Sequence, residues 1–334
     1  MAIVRDGMPP FALYQPASIE DALALAGRFG ANAWVLAGGL DSLERFKDRS
    51  ILPGAVIDLG RIDALRGVSQ TPNGDVVLGS LTTLTEVAGH PLLRERFGVL
   101  AVAAGEVASP QIRNQGTLGG NASQDARCWY YRGGFQCYRA GGNLCYADTP
   151  EGMNREHAIF GASRCVAVSP SDTAPALVAL DARFVIRNGG GTRTVAAEDF
   201  FVGPADDITR LNVLGPGDIL TEIRLPPTWA GATHYFEKVR DRPVWDFPLV
   251  GIAAVIRTRG ERIEQARFVL SAVAAKPWRL HGAEAAVAGK TPRDAAAAAE
   301  KIAADGAVPL THNAYKVTLV RNLVKRAILG KEAA

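Results

Sequence analysis

Residues 111–172 read QIRNQGTLGGNASQDARCWYYRGGFQCYRAGGNLCYADTPEGMNREHAIFGASRCVAVSPSD and carry most of the unusual chemistry of a 334-residue chain. All four cysteines, Cys128, Cys137, Cys145 and Cys165, lie in this stretch and none lies elsewhere. It opens on a glycine turn, Thr117-Leu118-Gly119-Gly120-Asn121, and closes on Ser171-Asp172, ahead of an apolar helical pattern from Thr173 to Leu180. Small residues in such a turn let backbone N–H groups approach an anion. The stretch reads as a glycine-turn cofactor clamp followed by a four-thiolate metal site, with the rest of the chain as scaffold.

The cysteines are separated by 8, 7 and 19 residues. Structural zinc sites usually pair their ligands as CxxC, and compact ferredoxins also use short spacings, so neither pattern is present. Four thiolates on long loops still suit an iron–sulfur cube. Zinc and unligated buried thiols stay open as alternatives on spacing alone. The intervening residues are rich in glycine (Gly133, Gly134, Gly141, Gly142, Gly152) and aromatics but poor in aliphatics. A metal centre is expected to take the place of a hydrophobic core there.

Hydrophobic residues make up 48% and charged residues 21%, proportions that suit a folded chain long enough for two domains. The net charge of +3 is dispersed, and no basic run alternates with aromatics, so a nucleic-acid partner is not indicated. No apolar run reaches the roughly 18 to 20 residues of a membrane span. The N-terminal MAIVRDGMPPFALYQPAS lacks the basic start and apolar core of a secretory signal. A cytoplasmic location with reduced thiols is expected, export being open only to a folded passenger of a signal-bearing partner. Clustered cysteines in that compartment point to metal before disulfides.

Upstream, Ser18 is placed to cap a helix beginning at Ile19. Trp34 to Ala37 reads as a short buried strand running into Gly38-Gly39, and Val56 to Leu59 as a second. The double glycine has neither GxGxxG spacing nor a P-loop lysine, so alone it reads as a plain turn. Asp75–Gly79 is a further strand, and Val99–Ala108 an apolar helix ended by Pro110. Arg183–Ile186 and Thr192–Val195, joined by Asn188 to Gly191, form a hairpin signal. Ile219–Leu225 alternates as a strand and stops at Pro226-Pro227, where a domain boundary is expected. Beyond it come strands at His234–Lys238, Val250–Arg257 and Ala266–Ala274. Helices at His281–Ala288, Pro292–Asp305 and Asn313–Leu329 follow, an α+β arrangement.

Taken together, Ala37-Gly38-Gly39-Leu40-Asp41-Ser42-Leu43, Thr117 to Asn121 and Ser171-Asp172-Thr173-Ala174-Pro175-Ala176-Leu177 resemble three motifs of one family. It is the FAD-binding medium subunit of the xanthine dehydrogenase family of molybdenum hydroxylases, and the resemblance spans essentially the whole chain. It implies an α+β fold. A two-lobed FAD-binding domain of the vanillyl-alcohol-oxidase type would cover residues 1–230, with a carbon monoxide dehydrogenase flavoprotein-like domain over 231–334. Cys128, Cys137, Cys145 and Cys165 look like the insertion, here about 122–168, with which one branch binds a 4Fe–4S cluster.

By the same resemblance FAD is held by Val35, Leu36, Ala37, Gly38, Gly39, Leu40, Asp41 and Ser42, by Thr117, Gly119, Gly120 and Asn121, and by Asp172. Leu40 stands where threonine is usual, which removes a hydroxyl but not a backbone contact. Lys238 is expected near the isoalloxazine, with a solvated strand face as its plain alternative; Asp172 has helix capping as its own. Gln111, Arg113 and Asn114 are read as bracing the glycine turn, and His157 as lying behind the thiols or at the surface. The implied partners are a molybdenum-cofactor large subunit, a 2Fe–2S small subunit and an external electron acceptor. No catalytic residue is assigned. A self-contained FAD-dependent oxidase and a zinc-stabilised binding module are the rival readings.

Overall fold

The computed structural model describes residues 7–330, so the outermost ends of the two expected domains lie outside it. The fold is α+β and contains three sheets. The first is parallel, with β1 (Ala12–Tyr14), β2 (Ala33–Leu36) and β3 (Ala55–Asp58) in the order β1-β3-β2. Its central strand β3 buries Ala55, Val56 and Ile57. The helix Ile19–Phe29 buries Ala22 and Ala26 and is capped as expected, Ser18 accepting from the Asp21 N–H at 3.1 Å. Gly38-Gly39 follows β2 after Ala37, at the carboxyl end of a parallel strand, where ligands of open sheets are bound.

The second sheet is antiparallel, with β4 (Val68–Gln70), β5 (Val76–Gly79), β6 (Arg183–Asn188), β7 (Gly191–Ala196) and β8 (Ile219–Leu225) in the order β4-β5-β8-β6-β7. Asn188 pairs with Gly191, leaving Gly189-Gly190 as the two-residue turn of the expected hairpin. The chain leaves this sheet after β5 and returns to it at β6, so the whole cysteine stretch is an excursion between two strands of one sheet.

The third sheet, β9 (Thr233–Val239), β10 (Val250–Arg259), β11 (Arg262–Ser271) and β12 (Trp278–Arg279), is an antiparallel meander in the order β12-β11-β10-β9. Alternation sends Ile252, Ala254, Phe268 and Leu270 into a core shared with the helices His281–Val287, Pro292–Ile302 and Tyr315–Leu329. Ala253, Val255 and Val269, on the opposite face, join the core built on Val76, Leu78, Ile223 and Phe184.

Two local readings change. The apolar helix, Gly98–Gly105, closes short of the expected Ala108, and Pro110 does not end it but starts a new helix, Pro110–Gln115, capped by Ser109. Thr117 to Asn121 is the N-terminal part of a short helix, Leu118–Ser123, rather than a free turn. The Thr117 hydroxyl accepts from the Gly120 N–H at 3.1 Å and so acts as the cap.

Candidate flavin cleft and thiol site

The two glycine segments pack directly on one another. A Cβ on Gly38 would collide with the Gln115 carbonyl, and the Gln115 side chain donates to the Gly38 carbonyl at 3.3 Å. Gly39 has φ +81, the left-handed region in which glycine carries no Cβ penalty. Between these segments runs a cleft of about 550 Å³, within the range of ligand pockets. Of the expected FAD residues, Val35, Ala37, Gly38, Gly39, Leu40, Asp41, Ser42, Thr117, Gly120, Asn121 and Asp172 line it. Leu36, Gly119 and Lys238 are not among its lining residues. Gly119 faces backwards, its N–H donating to the Ser80 carbonyl at 2.9 Å, with no room for a Cβ against Ser80.

The polar groups of the glycine turns mostly serve the protein. The N–H groups of Leu118, Gly119 and Gly120 donate to Thr82 O, Ser80 O and Thr117 Oγ1. Asn121 Oδ1 accepts from the hydroxyls of Ser171 at 2.8 Å and Thr173 at 2.6 Å, tying the turn to the Ser171-Asp172 segment. Arg113 donates to the Val107 carbonyl at 2.7 Å, and Asn114 Oδ1 accepts from the Thr85 hydroxyl at 2.7 Å, which anchors the Pro110–Gln115 helix that leads into the turn, whereas Gln111 is exposed.

Asp172 and Lys238 form a buried ion pair at 2.7 Å, their side chains 4% and 1% exposed. Ser171, whose hydroxyl accepts from the Ala174 N–H at 3.0 Å, supplies the helix cap, which leaves Asp172 free of that role. Lys238 also donates to the Glu106 carbonyl at 3.2 Å, which rules out a solvated strand face. Burial pushes the Asp172 carboxyl up to about 6, against the opposing pull of the Lys238 ammonium. Its Oδ1 is buried and has no hydrogen-bond partner among the described residues. A buried carboxylate oxygen on the wall of a cleft is an acceptor prepared for a ligand donor.

The four cysteines come from separate loops and line one small cavity of about 10 Å³ with Tyr130, Tyr131, Tyr146, Arg139 and His157. Tyr130 and Tyr146 stack at 6.0 Å, and Phe135 meets Tyr146 edge-on at 5.0 Å, an aromatic shell in place of aliphatic packing. Burial raises the Cys128 thiol to about 11, with the neighbouring Cys165 and Cys145 adding like-charge repulsion, and burial raises Cys165 as well. Among the described residues no group of three or more His, Cys, Asp or Glu side chains is arranged to hold a metal ion.

The insert is bolted to the cleft by charges of which the sequence reading singled out only Asp41, and for a different role. Asp41, from the first glycine segment, accepts from Arg132 at 2.9 Å and Arg127 at 3.1 Å. Arg132 also reaches Asp48 at 3.3 Å. Asp125 receives Arg45 at 2.8 Å and a second, short ion pair from Arg139. On the other side, Asn313 donates to the His157 carbonyl at 3.0 Å, and Lys316, fully buried, donates to the carbonyls of Glu156 at 2.9 Å and Ala272 at 2.6 Å. Trp245 and Phe247, on the β9–β10 connection, line the cleft while remaining more than a third exposed. Only spatial proximity marks these residues.

Two family descriptions match nearly the whole chain. Residues 9–228 match the FAD binding domain in molybdopterin dehydrogenase, and residues 234–330 the CO dehydrogenase flavoprotein C-terminal domain. The chain belongs to the FAD-binding medium subunits of the xanthine dehydrogenase and carbon monoxide dehydrogenase family. It is therefore an oxidoreductase component, the FAD-binding subunit of a molybdenum hydroxylase-type complex. It is 33% identical over 324 residues to the aldehyde oxidoreductase FAD-binding subunit PaoB of Escherichia coli, covering 96% of this chain and 98% of that one. It is 30% identical over 329 residues to the carbon monoxide dehydrogenase medium chain of Hydrogenophaga pseudoflava, covering 96% of each. The solved carbon monoxide dehydrogenase of that organism, in a form lacking the Mo-pyranopterin moiety, superimposes with a TM-score of 0.75 at 30% identity over 98% of both chains. Among the described residues no helix is long and apolar enough to cross a membrane.

Proposed function

We propose that this subunit carries two redox centres, FAD in the glycine cleft and a 4Fe–4S cluster on Cys128, Cys137, Cys145 and Cys165. It relays electrons between a molybdenum-containing large subunit with a 2Fe–2S small subunit and an external acceptor. The observation that carries the second centre is the convergence of four thiols, from loops spread over 38 positions, on one cavity that no carboxylate lines. An all-sulfur set selects iron–sulfur or zinc chemistry, and the family resemblance carried by the insert favours the cluster. The cavity of about 10 Å³ has room for roughly one water, so accepting the cube requires the loops to part.

For FAD the fit rests on the unpartnered Asp172 Oδ1 and on the glycines Gly38, Gly39 and Gly120 at the cleft wall. The residues assigned to it are those from Val35 to Ser42, Thr117, Gly119, Gly120, Asn121 and Asp172. Lys238 acts through Asp172 by holding its carboxylate. When bound, FAD supplies the one- and two-electron chemistry, and the chain positions and tunes it. A division into two domains near residue 230 and a cytoplasmic location belong to the same reading. A self-contained oxidase would have no use for the thiol site.

Anaerobic purification of the complex tests the reading through iron and acid-labile sulfide, counted against flavin. Four of each per chain beyond the partners' content are expected, with loss of that increment in Cys137→Ser and retention of FAD. Equal iron in the two proteins would refute the ligand assignment.

A further inference from the structure

We propose that His157 is a positioning residue for the thiol site, its Nε2–H donating to the Cys128 sulfur and setting that sulfur's electron density. This inference rests on the cluster reading above and adds a residue to it. His157 Nε2 stands 3.3 Å from Cys128 Sγ, within the range for a sulfur hydrogen bond. The ring is 5% exposed, and its backbone is fixed at both ends of the residue. Its N–H donates to the Asn154 carbonyl at 3.1 Å, and its carbonyl accepts from Asn313 at 3.0 Å. Asn154 and Asn313 are themselves fully buried, so the backbone that carries the ring is held by packed residues.

In its neutral form the His157 ring carries one N–H. Its Nδ1 is buried without a partner among the described residues, so a proton there would be left unsatisfied, whereas a proton on Nε2 meets sulfur. A thiolate bound to iron keeps lone pairs and is a strong acceptor of that bond, whereas a neutral thiol sulfur accepts only weakly. The hydrogen bond therefore favours the ligated form of Cys128.

The position has a consequence for electron flow. Of the four cysteines, Cys128 alone lines a second cavity, of about 240 Å³, which His157 also lines. That cavity shares Arg127, Pro170, Asp246 and Phe247 with the flavin cleft. Cys128 is thus the sulfur on the cleft side, and His157 is the group placed to tune it. Hydrogen bonds to cluster sulfurs are one of the established levers on reduction potential, each making reduction more favourable by offsetting negative charge.

The test uses the purified anaerobic complex with its cofactors loaded. Redox titration followed by electron paramagnetic resonance gives the midpoint potential of the additional cluster. His157→Phe, which keeps a planar ring and removes the donor, is expected to shift that potential to a more negative value with the iron count unchanged. His157→Gln, which can present an N–H again, is expected to recover part of the shift. An unchanged potential in His157→Phe at full iron content would overturn the proposal and leave the cluster reading standing. If His157→Phe loads no cluster, the unmodified complex still decides. Labelled with 15N-histidine and reduced, it is expected to show a weakly coupled nitrogen by electron–nuclear double resonance, and no coupling in a fully loaded sample overturns the role. Absence of additional iron from the unmodified complex overturns both.

Discussion

The flavin cleft and the thiol insert are neighbours that share residues, yet they are built on opposite principles. The cleft is made by backbones in close approach. Gly38 lies against the Gln115 carbonyl, Gly119 against Ser80, and three amides of the second glycine segment are satisfied inside the protein. The insert has little regular structure and almost no aliphatic core of its own. Side chains hold it, through Arg127 and Arg132 to Asp41, Arg139 and Arg45 to Asp125, and Lys316 and Asn313 to its own carbonyls. The cleft is therefore intolerant of added volume and indifferent to most charges, and the insert the reverse. Asp41 belongs to both, in sequence to the flavin segment and by its bonds to the insert.

The sharpest way to break this contrast is a single added side chain in the cleft. A Cβ on Gly120 would stand 2.9 Å from Thr117 Oγ1 and 3.8 Å from Ala37 Cβ. Valine adds two further methyl groups toward the cleft that Gly120 lines. Gly120→Val is expected to weaken FAD retention by about 100-fold or more, the few kcal/mol of an overpacked contact. Flavin fluorescence released on gel filtration reads this directly. The additional cluster is expected to stay, because no insert contact passes through Gly120. Normal FAD retention would show that the cofactor lies elsewhere.

The same contrast explains what could be read before the fold was known. Gly38-Gly39 alone read as a plain turn, and it was legible as a cleft segment only together with Gly119-Gly120, through the family resemblance. The hairpin at Asn188–Gly191 and the strand at Ile219–Leu225 were legible for local reasons, turn chemistry and alternation. Local rules failed where a partner is distant. Lys238 in a strand gives no sign that Asp172, 66 residues away, neutralises it. Arg132 gives none that its carboxylate is Asp41, 91 residues away. β1 and β4 are three residues each, too short for any periodicity to show.

A second, smaller effect bears on the buried carboxylate of the cleft, Asp172. The Asp172 carboxyl is raised from an unfolded value near 3.9 to about 6 in the folded, FAD-free protein. Between those values the folded state binds the extra proton. Its contribution to stability is therefore fully present below about pH 4 and is lost as pH rises through about 6. The span corresponds to at most about 3 kcal/mol, burial opposed by Lys238. The thermal midpoint of the FAD-free protein, followed from pH 4.5 to 7, is expected to carry this downward component. Asp172→Asn should remove it while lowering the whole curve, because Lys238 is left buried without a counter-charge. An identical slope in the two proteins would assign the titration to another group. FAD addition should flatten the wild-type slope if Asp172 Oδ1 accepts from the ligand, since a donor favours the carboxylate.

The smallest effect separates the two regions most cleanly. Arg132 works against burial, which disfavours its charge, but the carboxylates of Asp41, Asp125 and Asp48 outweigh that cost and raise its pKa. Arg132→Leu keeps much of the side-chain volume and removes the ion pairs. Asp41 would retain Arg127, whereas Asp48 loses its Arg132 contact. The expected destabilisation is accordingly about 2 kcal/mol, the size of a hydrogen bond to a charged group. It should appear as faster loss of the additional iron to a chelator, with FAD retention close to wild type. If iron loss is unchanged and FAD is lost instead, Asp41 serves the flavin before it serves the insert. The two regions would then be one site, held together at that carboxylate.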